Sequence, residues 1–269
     1  MTAPAERRFH ERGSRNRGSR ERWLVALPVF NEAEYVDSIL DEVSRYADDV
    51  LVVDDGSTDG TAQRLDARND IDVVRHAENR GYGSALVSAF DHTLRHGYAG
   101  VITMDCDGQH QPRRIPRFID AARTADIVSG SRYLKAYEGD DAPPRERLFI
   151  NRVITAELNH RLGYRLTDAF CGFKAYRSDA LRRLDISDTG YAMPLQLWVQ
   201  AAAAGLSVME IPVPLIYLDL QRSFGGSLDH AETRLKHYRG VLDRAFATAA
   251  GGGATFPARE SERYAALVG

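Results

Sequence analysis

A chain of 269 residues, 43% hydrophobic and 27% charged, is long enough to bury one large α/β core and has the balance of an ordinary globular protein. A formal net charge of -3 argues against nucleic acid as the main partner. Two cysteines, Cys106 and Cys171, stand too far apart for a metal-binding pair, so free thiols and a cytoplasmic location are the expectation.

Residues 1–22 hold seven arginines and three glutamates, a net of +4 against -7 for the remainder. Residues 1–21 lack the apolar content to fold and read as a disordered basic arm, either a solvated tail or a segment drawn to anionic lipid. From residue 22 to 245 the pattern is that of one domain, and 246–269, opening near a Gly-Gly-Gly run, reads as a flexible tail. Apolar runs suited to buried parallel strands fall at 23–28, 50–53, 72–75, 100–104 and 126–130. Helical spacing occupies 33–46, 61–69, 83–96 and 113–123, as Val36, Ile39, Leu40 and Val43 illustrate. Past residue 131 come a loop, a long helical candidate at 146–162, a helix at 192–204 and a strand-like 208–213. No run of eighteen apolar residues occurs, and no secretory leader is legible. Alternation of this kind predicts a mostly parallel sheet with helices on both faces.

In such a sheet, ligands gather at the carboxyl ends of the strands. Strand one ends in P-V-F-N-E (28–32), strand two in D-D-G-S-T-D-G-T (54–61) and strand four in D-C-D-G-Q-H (105–110). Adjacent Asp54 and Asp55 repel each other unless donors meet them, and a nucleotide's ring N–H and ribose hydroxyls are such donors. The same residue types also make turns and helix caps. Asp105 and Asp107, two apart beyond a buried strand, can converge on one cation, and Gln109 adds an oxygen; such ligands suit Mg²⁺ or Mn²⁺ with a diphosphate completing the shell. His110 reads as structural or as a neighbour of the ligands. Gly81 and Gly83 either open a helix near the donor or form a tight turn.

Taken in order, P-x-F-N-E (28–32), V-V-D-D-G-S-T-D-G-T (52–61), N-R-G-Y-G-S-A (79–85), M-D-C-D-G-Q-H (104–110), G-S-R-Y (130–133), D-A-F-C-G-F-K (168–174) and R-S-F-G-G-S (222–227) resemble the inverting glycosyltransferases of family 2, and more closely the dolichyl- or polyprenyl-phosphate mannose and glucose synthases. The resemblance implies the GT-A fold, a Rossmann-like nucleotide-diphospho-sugar transferase. It assigns Pro28, Phe30, Glu32, Asp54 and Asp55 to the donor's base and ribose. Asp105, Asp107 and Gln109 would hold the metal and diphosphate, with Asp105 serving the donor as well. Arg132, Arg147, Arg222 and Ser227 would face the acceptor or donor phosphates. The implied partners are a nucleotide-sugar donor, GDP- or UDP-linked, and a polyprenyl phosphate at the inner membrane face. Leu228 departs from the lysine usual after the R-x-x-G-x-S serine.

Two acceptor chemistries remain open at this point. A phosphate is already anionic and needs cations, here Arg132, Arg147 and Arg222; a hydroxyl needs a base, for which Asp168 is the candidate. Asp107, Asp168 and Arg147 are thus the expected catalytic residues. The helix at 146–162, with Arg147, Arg152 and Arg161, either packs on the core or lies at a membrane interface. A nucleotidyltransferase is disfavoured because no Gly-rich basic loop follows strand one, and a non-catalytic nucleotide-sugar binder because both metal carboxylates are present.

Overall fold

A computed structural model describes residues 5–7, 21–217 and 230–256. The strands are β1 (Ala5–Arg7), β2 (Trp23–Val29), β3 (Asp49–Asp54), β4 (Asp72–Arg75), β5 (Gly100–Thr103), β6 (Ile127–Ser131), β7 (Lys174–Arg177) and β8 (Val208–Pro212). They form one sheet of order β1-β4-β3-β2-β5-β7-β6-β8. The run β4-β3-β2-β5 is parallel, as is β6-β8, whereas β7 lies antiparallel between β5 and β6.

The helices are α1 (Val36–Val43), α2 (Thr61–Asp66), α3 (Tyr82–Arg95), α4 (Ile115–Ala121), α5 (Arg145–Leu162), α6 (Ser178–Leu181), α7 (Met193–Ala203) and α8 (Ala231–Gly251). Side chains alternate across the sheet and divide the core in two. Leu24 and Ala26 of β2 join a layer built from Phe90 of α3, Ile154 and Leu158 of α5, Trp198 of α7 and Leu242 of α8. Val25, Leu27 and Val29 face the opposite layer, with Val36 and Leu40 of α1 and Phe118 of α4. Each of these fully buried aliphatic side chains contributes roughly 1.5–3 kcal/mol of transfer free energy.

Most of the expected elements are present within a few residues. Four differences matter. The first helix starts at Val36 rather than at 33, because residues 31–33 are tied into the neighbouring loop. β7 and α8 were not anticipated: K-A-Y-R carries two basic residues in four and hides its strand character, and α8 mixes buried and charged positions. The last helix also runs through Gly251, beyond the expected domain end at 245, and Phe246 packs edge-on against Phe256. At the other end, residues 5–7 of the expected arm pair antiparallel with β4.

α5 is a core helix along most of its length, with Ile150, Val153, Ile154, Leu158 and Leu162 buried, while Phe149 near its first turn is 51% exposed. Among the described residues no helix is long and apolar enough to cross a membrane.

The antiparallel β7 positions the site. Lys174 pairs with Thr103, so β7 begins where β5 ends. The segment before it, D-A-F-C-G-F, is thereby delivered to the edge of the sheet where β2, β3 and β5 terminate.

Candidate active site

The loops after β2 and β3 lock each other. Asn31 adopts φ of 57°, a left-handed turn that asparagine tolerates better than other non-glycine residues. Its backbone N–H donates to Ser57 Oγ (2.9 Å), while its side-chain oxygen accepts from the N–H of Thr58 (2.8 Å). The N–H groups of Glu32 and Ala33 donate to Thr61 Oγ1 (2.9 Å) and Asp59 Oδ2 (3.0 Å). The serine, threonines and third aspartate of the β3 motif therefore shape the β2 loop. That loop leaves Phe30 42% exposed at the rim, Pro28 half-buried and Glu32 buried.

Asp54 and Asp55 occupy places different from those expected. Asp54 is fully buried; Oδ1 accepts the N–H of Ser57 (3.0 Å) and Oδ2 accepts Arg75 Nε (3.0 Å). Asp55, 3% exposed, takes His76 Nδ1 at 2.5 Å and the N–H groups of Arg80 (2.9 Å) and Gly81 (2.8 Å). The donors that relieve this carboxylate pair are supplied by the chain itself. Both aspartates are buried, and Asp55 anchors the 76–81 loop.

Asp105 is the accessible carboxylate, its side chain 32% exposed. Oδ1 accepts Tyr82 Oη (3.2 Å), and His110 Nε2 stands 3.8 Å from Oδ2. His110 Nδ1 accepts the N–H of Asp105 (2.9 Å), which places the ring's proton on Nε2 and makes His110 a brace for this turn. A Cβ at Gly172 would stand 2.6 Å from Asp105 Oδ2, so the D-A-F-C-G-F segment meets the carboxylate at a contact only glycine permits. Asp107 accepts the backbone N–H and the side-chain Nε2 of Gln109, each at 3.0 Å. Gln109 thus orients Asp107 through its amide nitrogen.

Among the described residues no three His, Cys, Asp or Glu side chains form a closed metal cage. Asp105 and Asp107 stand two residues apart on one turn, and carboxylate oxygens are the donor type that Mg²⁺ and Mn²⁺ take together with substrate phosphates. The residues fit such an ion.

Asp168 is completely buried and saturated. It accepts Arg132 Nε (2.7 Å) and Nη2 (2.9 Å), Asn151 Nδ2 (2.7 Å) and the N–H of Phe170 (3.1 Å). Burial pushes its pKa up, but the charge and hydrogen bonds of Arg132, with Asn151, outweigh this and hold it at about 2. A carboxylate held there is a poor proton acceptor at neutral pH. Its partner Arg132 is bound to it through a two-pronged pair. Glu210 completes the network by accepting the N–H groups of Thr167 (2.8 Å) and Asp168 (3.0 Å).

Arg147 is half-buried at the start of α5, with its guanidinium 6.0 Å from the ring centre of Tyr217. It lies between α5 and the segment after β8. Arg222 and Ser227 lie outside the described residues.

Several site residues escaped the sequence reading. Arg75 ends the apolar run 72–75 and His76 follows it, and neither stands out locally, although two adjacent aspartates demand cationic or donating partners. Tyr82 and Tyr191 stack with ring centres 5.7 Å apart, and nothing in the local sequence links them. Lys174 is buried, with Nζ donating to the carbonyl of Cys171 and lying 5.5 Å from the Trp198 ring; burial lowers its pKa.

The family model for glycosyl transferase family 2 matches residues 24–185, more than half of the chain. An undecaprenyl-phosphate mannosyltransferase of Micrococcus luteus is 34% identical over 211 residues, 75% of this chain and 86% of the relative. A polyprenol monophosphomannose synthase of Mycolicibacterium smegmatis is 34% identical over 240 residues, 84% of this chain and 90% of the relative. Among solved structures, glucosyl-3-phosphoglycerate synthase from Mycobacterium tuberculosis, in complex with Mn²⁺, UDP and phosphoglyceric acid, superposes with a TM-score of 0.64 at 19% identity, covering 88% of this chain and 80% of that one. That likeness establishes the GT-A fold. With the motifs in register on that fold, the chain is a glycosyltransferase and belongs to glycosyl transferase family 2.

Proposed function

We propose that this enzyme transfers a hexose, mannose by analogy with its relatives, from a GDP- or UDP-sugar to a polyprenyl phosphate, with inversion and with a divalent cation. Two relatives named for that acceptor class, each 34% identical over three quarters or more of this chain, support the substrate. The observation that carries the choice of acceptor is the saturated Asp168. A hydroxyl acceptor must lose a proton to a positioned base, whereas a phosphate needs only to be held.

In this reading Phe30 and Glu32 line the nucleotide end of the cleft, and the 76–81 loop, anchored by Asp55, closes beside it. Asp105 and Asp107 would hold Mg²⁺ or Mn²⁺. When bound, the cation neutralises the diphosphate as it leaves. Arg147 binds the acceptor phosphate, with Arg222 and Ser227 proposed as its partners, and aims an oxygen at the anomeric carbon from the face opposite the nucleotide. Arg132 acts at one remove, by fixing the D-A-F-C-G-F segment against Asp105. Acceptance from a lipid places the working enzyme at the cytoplasmic face of a membrane, where Phe149 and the basic start of α5 favour contact with anionic headgroups.

The test is transfer of radiolabelled sugar from GDP-mannose, GDP-glucose, UDP-glucose and UDP-galactose to decaprenyl phosphate in detergent, with 3-phosphoglycerate and simple sugars as competing acceptors. A butanol-extractable labelled lipid supports the proposal. Label found only on a soluble hydroxyl acceptor would replace it.

A further inference from the structure

The glycines and Tyr82 of the motif N-R-G-Y-G-S-A (79–85) carry a second observation. Its two glycines mark a crossing of backbones. Gly81 has φ of 97°, and a Cβ there would stand 2.3 Å from the carbonyl oxygen of Thr189. A Cβ at Gly83 would stand 2.2 Å from the carbonyl oxygen of Asp188. In return, the N–H of Gly83 donates to Thr189 O (2.8 Å), so the D-T-G-Y segment (188–191) seals the first turn of α3. Tyr191, at the end of that segment, is thereby laid parallel to Tyr82, with an interplanar angle of 18°. The Tyr82 hydroxyl in turn donates to Asp105 Oδ1.

We propose that Tyr82 is a positioning residue for the divalent cation: its hydroxyl ties down Oδ1 of Asp105 so that Oδ2 is presented to the metal, and Tyr191 holds the phenol in place. This rests on Asp105 being a metal ligand. Tyr82 donates to one oxygen of the carboxylate, while His110 stands 3.8 Å from the other, beyond hydrogen-bonding reach. Outer hydrogen bonds of this kind commonly alter metal affinity about 10–100-fold. The arrangement also accounts for the glycines: a side chain at either position would lift the 188–191 segment and withdraw the Tyr191 ring.

The experiment is calorimetric titration of the purified full chain with GDP and with UDP, in EDTA and again in Mn²⁺. In wild-type protein Mn²⁺ tightens binding of the preferred diphosphate, and Asp105→Ala abolishes that tightening. Tyr82→Phe should leave the affinity in EDTA unchanged and reduce the Mn²⁺-dependent tightening about tenfold or more. Tyr191→Phe should behave as wild type, and Tyr191→Leu should show an intermediate loss. If Asp105→Ala loses the tightening while Tyr82→Phe retains it in full, the role of Tyr82 is overturned and the metal reading stands. If Tyr82→Phe weakens binding equally in EDTA and Mn²⁺, its role is merely structural and the proposal also fails. Absence of tightening in the wild type would overturn the metal reading and the proposal with it.

Discussion

Arg132 and Asp168 meet through two near-parallel hydrogen bonds, Nε to Oδ2 at 2.7 Å and Nη2 to Oδ1 at 2.9 Å, with the aspartate wholly buried. The pair joins the end of β6 to the segment that presses on Asp105. Removing one partner leaves an uncompensated buried charge, which typically costs about 3–5 kcal/mol. Asp168→Asn should therefore lower the unfolding free energy measured in urea by that amount, while the folded fraction keeps transfer within about tenfold of wild type. A loss of three orders of magnitude in fully folded Asp168→Asn would restore the base and the hydroxyl acceptor.

The same pair sets an acid limit. Asp168 titrates at about 2 in the folded chain against 3.8 for a free aspartate. A depressed carboxyl contributes stability that is fully present above its unfolded pKa and is lost as pH falls through the folded value. That contribution is about 2 kcal/mol at neutral pH and should disappear between about pH 4 and pH 2. Denaturant unfolding across that range should show the slope in wild type and a shallower one in Asp168→Asn.

Asp107 has both oxygens turned toward Gln109. Asp107→Ala is expected to abolish transfer, and EDTA to do the same to wild type. Gln109→Ala should be milder, about tenfold, because it removes an orienting contact. Transfer assays across a Mn²⁺ series would expose the difference: full Asp107→Ala activity in EDTA rules out the cation.

Gly172→Ala adds one carbon where only 2.6 Å separates it from Asp105 Oδ2. The carboxylate must move, since the glycine's own carbonyl is held by Thr103 Oγ1 at 2.8 Å. Transfer should fall about a hundredfold with circular dichroism unchanged; an active Gly172→Ala would show that the position of Asp105 is not critical.

Asp55→Ala deletes the acceptor for two backbone N–H groups, those of Arg80 and Gly81. Hydrogen bonds to a charged group contribute roughly 1.5–3 kcal/mol. Hydrogen exchange at residues 80 and 81 should accelerate by at least tenfold, and nucleotide affinity should fall as the loop loosens. Unchanged exchange would show that the loop is held by other contacts.

Arg147→Ala should depress transfer to decaprenyl phosphate much more than hydrolysis of the donor, because its proposed contact is with the acceptor alone. Parallel assays with and without lipid measure the split, and equal losses in both would place Arg147 on the donor side.

Local pattern determined the parallel half of this protein. Buried strands announce themselves as apolar runs, their carboxyl ends by Asp, Gly, Ser and Thr, and the intervening helices by their period, so β2 to β6 and the acidic turn at 105–107 were legible from residues alone. The identity of the family followed from motifs in order. What the chain could not disclose locally was which charge meets which. Asp54, Asp55, Asp105 and Asp168 are alike in sequence, yet Arg75 closes off the first, His76 and the 80–81 backbone the second, and Arg132 the last, leaving Asp105 open. Those partners arrive across the sheet or around a loop. Arg75 and His76 come from the end of β4, paired beside β3, and Arg132 comes from the end of β6, which β7 sets beside the segment carrying Asp168. A carboxylate's chemistry is set by the donors and the dielectric around it, and only the tertiary structure assembles those.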